Sequence, residues 1–196
     1  MMVLKKKKQN DRTQTVLYIA QLLAKGKGDL VKQMIKSDPT LIHSSDTQNL
    51  TPLHHCCNEG NFELAKWLVR HNASITDRDQ KGWNPLHCVA ASQIDADTYI
   101  KICNLLLETE SADRALMAKT DSGSTFLHYI LGNRHLSDAD LDVLLKRSIE
   151  LHADVDAQSE KGDGPLHRAA MTGRVSACKI LISQAGMCIA YVCFGV

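Results

Sequence analysis

The sequence has almost no excess of charge of either sign. Lysine and arginine total 23 residues, aspartate and glutamate total 22, and the formal net charge is +1. This balance excludes a global field that would attract nucleic acid, a membrane surface or an acidic substrate, so any charged partner must be bound locally. We therefore do not expect nucleic acid as a partner.

Long apolar runs are also missing from the start of the chain. The first residues, MMVLKKKKQNDR, contain a basic run but no following apolar stretch, so we expect neither a signal peptide nor a membrane span. Seven cysteines, an odd number, lie in helix-like contexts, which favours reduced thiols and an intracellular location, cytoplasmic or alternatively nuclear. The run Lys5–Lys8 could serve nuclear import or contact phosphate, or it could belong to a solvated, frayed tail.

Motifs of common catalytic sites are absent as well. The sequence has no G-x-S-x-G, no G-x-x-x-x-G-K, no H-E-x-x-H and no dinucleotide fingerprint. The acidic stretch SDADLD at 137–142 is typical of a helix start, with Ser137 as the cap and the acids near the N-terminus. We expect no catalysis, no small-molecule substrate and no cofactor.

One short stretch, TPLHHCC at 51–57, places two histidines beside two cysteines. Imidazole and thiolate are preferred zinc ligands, so this stretch raises the question of a metal site. On a helix, however, consecutive side chains point about 100° apart, and the four residues from His54 to Cys57 cannot converge on one ion. We therefore expect no metal there.

The same stretch begins an internal repeat. TPLH at 51 recurs as NPLH at 84, TFLH at 125 and GPLH at 164, at intervals of 33, 41 and 39 residues. T-P-L-H with a period near 33 resembles the ankyrin repeat family, whose units are a turn followed by two helices. The resemblance covers most of the chain, from about residue 13 to residue 185.

This resemblance implies an all-α solenoid of helix-turn-helix units joined by β-turn or hairpin loops. In each unit, a capping residue such as Thr51 or Asn84 precedes proline at the first helical position, Pro52 or Pro85. The predicted organisation is a disordered basic tail over 1–12, a degenerate cap repeat over 13–48, repeats over about 49–81, 82–122, 123–161 and 162–185, and an atypical apolar tail over 186–196.

The cap repeat and the later units depart from the family pattern. Aligning Gly26 with Gly60 predicts that Leu30 and Met34 form the core face of the cap repeat's second helix. In the third unit Phe126 replaces the proline, and in the fourth Gly164 replaces the capping side chain.

Two further departures concern the turns between helices, where the family prefers glycine and this sequence has Gln93 and Arg134. The longer second interval predicts about five extra residues between the helices of that unit and three before its turn. The third unit carries six extra residues within 132–156.

By resemblance, the motif histidines His54, His87, His128 and His167 hold neighbouring turns together by hydrogen bonds. The function implied is a non-catalytic scaffold or adaptor that binds partner proteins through a concave face. The positions implied to contact a partner are Thr47, Gln48, Leu50, Asn58, Glu59, Gln80, Lys81, Trp83, Ala91, Ser92, Asp121, Ser122, Ser124, Asn133, Glu160, Lys161, Asp163, Met171 and Thr172. Trp83 is either an exposed anchor or packed against the neighbouring turn.

The sequence leaves alternatives to this function open. A thiol- or zinc-dependent enzyme and a regulatory ankyrin fragment of a longer protein are the other candidates. Residues 186–196, GMCIAYVCFGV, are apolar where another repeat or a polar cap is expected. They indicate either an array that is cut short or a segment folded over the last helix pair, and we expect a monomer unless this tail is exposed.

Overall fold

The computed structural model describes the backbone of residues 2–185 and the side chains of residues 12–184. This part of the chain consists of helices and turns, without a β-strand. In chain order the helices are α1 (Met2–Ala24), α2 (Gly28–Ser37), a 3-10 helix (Pro39–His43), α3 (Pro52–Glu59), α4 (Phe62–Arg70), α5 (Pro85–Ala91), α6 (Ala96–Leu107), α7 (Ala112–Met117), α8 (Phe126–Gly132), α9 (Asp138–Glu150), α10 (Pro165–Met171) and α11 (Val175–Ala185).

The helices form two stacked rows. First helices α1, α3, α5, α8 and α10 pack in sequence against one another, and second helices α2, α4, α6, α9 and α11 do the same. A single apolar core runs between the two rows. The predicted all-α solenoid of helix pairs joined by tight turns is thereby confirmed. Over residues 2–185, no helix is both long enough and apolar enough to cross a membrane.

The N-terminal segment differs from the prediction of a disordered tail over 1–12. Helix α1 begins at Met2 and continues without a break to Ala24. Lysine, glutamine and arginine are good helix formers, and no glycine or proline interrupts residues 2–24. The apolar tail predicted over 186–196 lies outside the described residues.

The cap repeat buries a different face of α2 from the one the alignment predicts. Val31 and Ile35 are fully buried, whereas Leu30 is 45% exposed and Met34 is only partly buried. In the next repeat, the aligned residues Leu64 and Leu68 lie in the core, packed between rows. The prediction for Leu30 is wrong because α2 has a neighbouring repeat on one side only. A different face of this helix is therefore buried from the one that is buried in α4.

The extra residues of the second repeat also lie elsewhere than predicted. Helix α6 has 12 residues where α4 has 9, and a further short helix, α7, follows it before the next turn. The prediction of about five inserted residues between α5 and α6 is wrong. Ala112, Ala115 and Leu116 are buried, so α7 uses its own apolar side to cover the end of the core.

The turns between repeats, which we call tips, comprise residues 46–50, 79–83, 120–124 and 159–163. Within each tip the first N–H donates to the fifth carbonyl, as Asp79 N does to Trp83 O at 2.8 Å. Between tips, the second N–H donates to the third carbonyl of the preceding tip, namely Gln80 to Gln48, Asp121 to Lys81 and Glu160 to Ser122, each at 2.9 Å. Main-chain hydrogen bonds therefore link the tips into a ladder.

The fourth tip position needs a left-handed backbone at this close approach. Gly123 has φ of 72°, and a β-carbon built there would lie 3.0 Å from the Glu160 amide nitrogen, which is a ladder donor. The first tip has Asn49 at the same position with φ of 63°, and asparagine tolerates this conformation better than most residues. Glycine at position 123 thus leaves room for the hydrogen bond from Glu160 N to Ser122 O.

Asn84 gives a first testable expectation. Its Oδ1 accepts the His87 backbone N–H at 3.0 Å, and its Nδ2 donates to Ala115 O of α7 at 2.8 Å. We expect Asn84→Thr, which restores the family residue, to keep the cap but leave the buried Ala115 carbonyl unpaired, at a cost of about 1 kcal/mol in unfolding free energy. Urea denaturation would measure the unfolding free energy of Asn84→Thr. Thr125→Asn, the converse change at the cap of α8, would be measured beside it. A stabilised Asn84→Thr variant would contradict the role of the Ala115 bond.

Candidate partner-binding face

Two of the motif histidines connect neighbouring repeats. In His54, Nδ1 accepts the Thr51 backbone N–H at 3.1 Å, and Nε2 lies 3.2 Å from Trp83 O in the next tip. His128 repeats the arrangement, with Thr125 N at 3.1 Å and Asp163 O at 3.0 Å. Because Nδ1 accepts, we infer that the proton sits on Nε2, which donates to the next carbonyl.

His87 is bonded differently. Its Nδ1 lies 2.7 Å from Asn84 Oδ1, closer than the 3.3 Å to Asn84 N, and the bond from Asn84 Nδ2 to Ala115 turns Oδ1 toward the ring. Nδ1 of His87 therefore faces both the backbone N–H and the side-chain oxygen of its own capping residue. Its Nε2 is buried without a hydrogen-bond partner among the described residues. The tip-to-tip bond implied for His87 by the resemblance is therefore not formed.

His167 makes only the bond within its own repeat. Its Nδ1 accepts from Gly164 N at 3.2 Å, and the ring is exposed. Gly164 offers no side chain to complete the cap, as its identity predicts. Of the four motif histidines, His54 and His128 hold neighbouring tips, whereas His87 and His167 bond only inside their own units.

Burial holds three of the motif histidines and three cysteines in their uncharged forms. Burial lowers the pKa of His54, His87 and His128, and the His87 pKa falls to about 4. Burial raises the pKa of the Cys56, Cys57 and Cys103 thiols, so they are protonated at neutral pH. Among the described residues, no three histidine, cysteine, aspartate or glutamate side chains are grouped as metal ligands.

The residues implied to contact a partner fall into three groups. Those with exposed side chains are Thr47, Gln48, Asn58, Glu59, Gln80, Lys81, Ala91, Asp121, Ser122, Glu160, Lys161 and Met171. Leu50, Trp83, Asn133, Asp163 and Thr172 are partly buried, and Ser92 and Ser124 are buried. The exposed group is dominated by the second and third tip positions, whose main chains form the ladder.

Trp83 is packed and is not a free anchor. Its ring centroid lies 4.7 Å from that of Tyr129 on α8 and 6.2 Å from that of His87. Ring pairs at such distances contribute stability beyond their buried area. Trp83 therefore packs against a helix of the following repeat, and not against the neighbouring turn that the second alternative named.

Next to these rings, two interhelix turns depart from the geometry of the first full repeat. There, α3 ends at Gly60 with φ of 73°, and α4 begins at once. Helices α5 and α8 end instead at Ser92 and Asn133, whose ψ angles of 158° and 117° are extended. Both turns have a residue other than glycine at the position of Gly60, and a groove lies beside them, lined by residues of α5, α8 and α10.

This arginine groove has a volume of about 390 Å³. The residues that define it are Ala90, Tyr129, Asn133, Arg134, His135 and Arg168. Predicted positions Ala91, Ser92, Ser124 and Asn133 line it, but sequence reasoning missed Arg134 and Arg168 as candidate contacts. The departure from glycine at Gln93 and Arg134 was the signal that could have located the groove.

Comparison with known sequences agrees with this architecture. The family described as "Ankyrin repeats (3 copies)" matches residues 16–115 and 95–191. The chain belongs to the ankyrin repeat family. Ankyrin repeats are in general non-catalytic interaction domains, and membership supports a role in protein interaction.

Three relatives illustrate the range of ankyrin proteins that this chain resembles. An ankyrin repeat-containing protein of Schizosaccharomyces pombe is 32% identical over 56% of this chain and 45% of its own length. The 26S proteasome non-ATPase regulatory subunit 10 of Mus musculus is 32% identical over 35% of this chain and 30% of its own length. The RelA-associated inhibitor of Mus musculus is 26% identical over 55% of this chain and 12% of its own length. Each match spans less than half of the relative.

Proposed function

We propose that this ankyrin array is a non-catalytic intracellular scaffold or adaptor that binds partner proteins through its concave face. The observation that supports the proposal is the separation of roles at the tips. Their backbone forms the ladder, while side chains at the second and third positions are exposed. Gln80 Nε2 donates to Thr47 O of the preceding tip at 2.7 Å, and Ser122 Oγ bonds within its own tip. The other exposed side chains, which are available to specify a partner, are Thr47, Gln48, Lys81, Asp121, Glu160 and Lys161.

The rival function, a thiol- or zinc-dependent enzyme, finds no support in the described cysteines. Cys56, Cys57 and Cys103 are completely buried, and their raised pKa values keep them in the protonated, weakly nucleophilic form. Cys178, which is partly exposed, also has a raised pKa because of burial. A binding role fits these thiols as small apolar core residues.

The proposal is tested with a charge exchange at two exposed tip positions, Lys81→Glu with Glu160→Lys. Proteins retained from lysate by the wild type are identified by mass spectrometry, and the dissociation constant of a purified retained protein is then measured. We expect the exchange to weaken binding about tenfold or more, because both side chains lie on the face that meets the partner. Lys146→Glu, an exposed change on α9, is the matched control and keeps wild-type affinity.

Both variants must first show the wild-type melting temperature. A partner that binds the exchanged variant and the wild type equally would place the interface elsewhere and contradict the concave-face proposal. Failure of the wild type to retain any protein specifically would also contradict it.

A further inference from the structure

The lining of the arginine groove carries charge of one sign, whereas the tips carry charges of both signs. Its lining includes Arg134, Arg168 and His135, and it includes no aspartate or glutamate. The chain as a whole has a net charge of only +1, so this is a local concentration of positive charge. A groove lined by one sign of charge attracts a ligand of the opposite sign more strongly than an open surface does.

The two guanidinium groups have donors to spare. Arg134 is exposed, and among the described residues its guanidinium makes no hydrogen bond or ion pair. Arg168 pairs with Asp163 at 3.7 Å, beyond ordinary hydrogen-bond length, so its terminal nitrogens retain donors for a ligand, whereas its Nε, which has no partner within the described chain, is buried. Arginine presents its donors in a planar fork that suits a carboxylate oxygen pair.

The loop that carries Arg134 is fixed by hydrogen bonds from the side chain of Arg174. Arg174 donates from Nη2 to Asn133 O at 2.7 Å and to Leu136 O at 2.8 Å, and its other nitrogen contacts Asp138. Asn133 Oδ1 in turn accepts the His135 backbone N–H at 2.8 Å. A loop fixed in this way loses little conformational freedom when a ligand binds, which favours affinity.

The shape of the region favours an extended occupant. Arg134 also lines a second open cavity of about 680 Å³, which continues past Thr172 to Met171. Met171 is 70% exposed and offers an apolar contact at the far end, while Tyr129 and Ala90 form an apolar wall in the arginine groove. The lining of the second cavity is largely polar, and its one carboxylate, Asp138, is paired with Arg174. Positive charge beside an open, elongated surface suits a peptide segment better than a compact small molecule.

We propose that the arginine groove binds a side-chain carboxylate of an extended acidic segment of the partner protein, with Arg134 and Arg168 as its contacts. This inference rests on the proposed scaffold function and specifies the chemistry of the partner. Asp163 already offsets part of the Arg168 charge, so the remaining charge matches the single charge of a glutamate or aspartate better than the double charge of a phosphate.

The test uses three fluorescein-labelled peptides of one Gly, Ser and Leu background that carry glutamate, glutamine or phosphoserine at the same positions. Fluorescence anisotropy measures their affinity for the full chain. We expect the glutamate peptide to bind about tenfold or more tightly than the glutamine peptide, and less tightly as salt is raised. Arg134→Gln and Arg168→Gln should each weaken glutamate-peptide binding about fivefold or more.

Arg70→Gln on α4 removes the same charge outside both cavities and should leave the affinity unchanged. Arg134 is exposed, so its variant tests the groove even if Arg168→Gln lowers the melting temperature. Equal binding of the glutamate and glutamine peptides, no binding of any peptide, or wild-type affinity in Arg134→Gln would each overturn the inference. Tighter binding of the phosphoserine peptide would overturn the choice of a carboxylate.

The inference and the scaffold function fail in different ways. If a purified partner binds with wild-type affinity to Arg134→Gln but is lost on the tip exchange, the function stands and the groove inference fails. If the glutamate peptide binds through Arg134 while the tip exchange leaves the partner's affinity unchanged, the concave tips are not the interface and the groove inference stands.

Discussion

Phe126→Pro is expected to destabilise the protein by about 3 kcal/mol, although it restores the family's T-P-L-H at the start of α8. Phe126 is fully buried and is among the largest side chains of the core, between α5 and α10. Loss of a buried aromatic ring costs about 3–5 kcal/mol, and proline recovers only part of it by filling some volume and fixing the first helical turn.

Backbone strain is not the reason for this expected loss. Thr125, which precedes Phe126, has φ of −102° and ψ of 172°, an extended conformation that is compatible with a following proline. Urea denaturation of the wild type, Phe126→Pro and Phe126→Ala would separate the loss of the aromatic ring from the partial gain that proline brings. We expect alanine to be the least stable, and a proline variant as stable as the wild type would show that the ring contributes no more than the family residue.

Acidification from pH 7.5 to pH 5 is expected to lower the unfolding free energy, by about 2 kcal/mol from His87 alone. Burial depresses the His87 pKa to about 4, from an ordinary value of about 6.5. The unfolded chain therefore binds more protons than the native state in this window, and stability present at pH 7.5 is lost as the pH falls toward 4. His54 and His128, whose pKa values are also lowered by burial, act in the same direction.

Burial is the main cause of the lowered pKa values, and the surroundings of the ring nitrogens add to it for His54 and His87. Adding a proton to Nδ1 of His54 would place two donors face to face, because that atom accepts the Thr51 backbone N–H. The His87 ring is fully buried, and its Nε2 makes no hydrogen bond of ordinary geometry among the described residues, so a positive charge on the ring would be poorly compensated. Both arrangements favour the neutral ring.

Unfolding free energies measured in urea at both pH values would check the expectation. His87→Gln removes the titrating ring and should reduce the difference between the two pH values by about 2 kcal/mol. His43→Gln, at an exposed position, should leave the difference unchanged. Equal wild-type stability at pH 7.5 and pH 5 would contradict the depressed His87 pKa.

The repeat architecture was accessible from the sequence because its signals are local. Capping residues, the proline at the first helical position and the left-handed tip position act within a few residues of each other, so each TPLH-like stretch predicts its own turn and helix. The Ser137 cap of α9 is an example: its Oγ accepts the Asp140 N–H at 3.2 Å, as the sequence predicts.

Features that depend on distant residues could not be predicted in the same way. Trp83 is covered by Tyr129 from the following repeat, and Asn84 reaches Ala115 on a helix that has no counterpart in the family unit. The position of Arg134 depends on Arg174 in the last described helix pair. Loss of glycine at the turn was visible in the sequence, but the direction in which the turn would open was not.

The ladder between tips has a consequence for how such a protein changes over generations. Its bonds, such as that from Asp121 N to Lys81 O, join main-chain atoms that every residue other than proline possesses. Substitutions at the exposed second and third positions therefore leave the ladder intact, and surface changes of this kind usually shift stability by less than about 0.5 kcal/mol. Mutations at these positions can therefore change the binding specificity while the fold that presents the side chains stays the same.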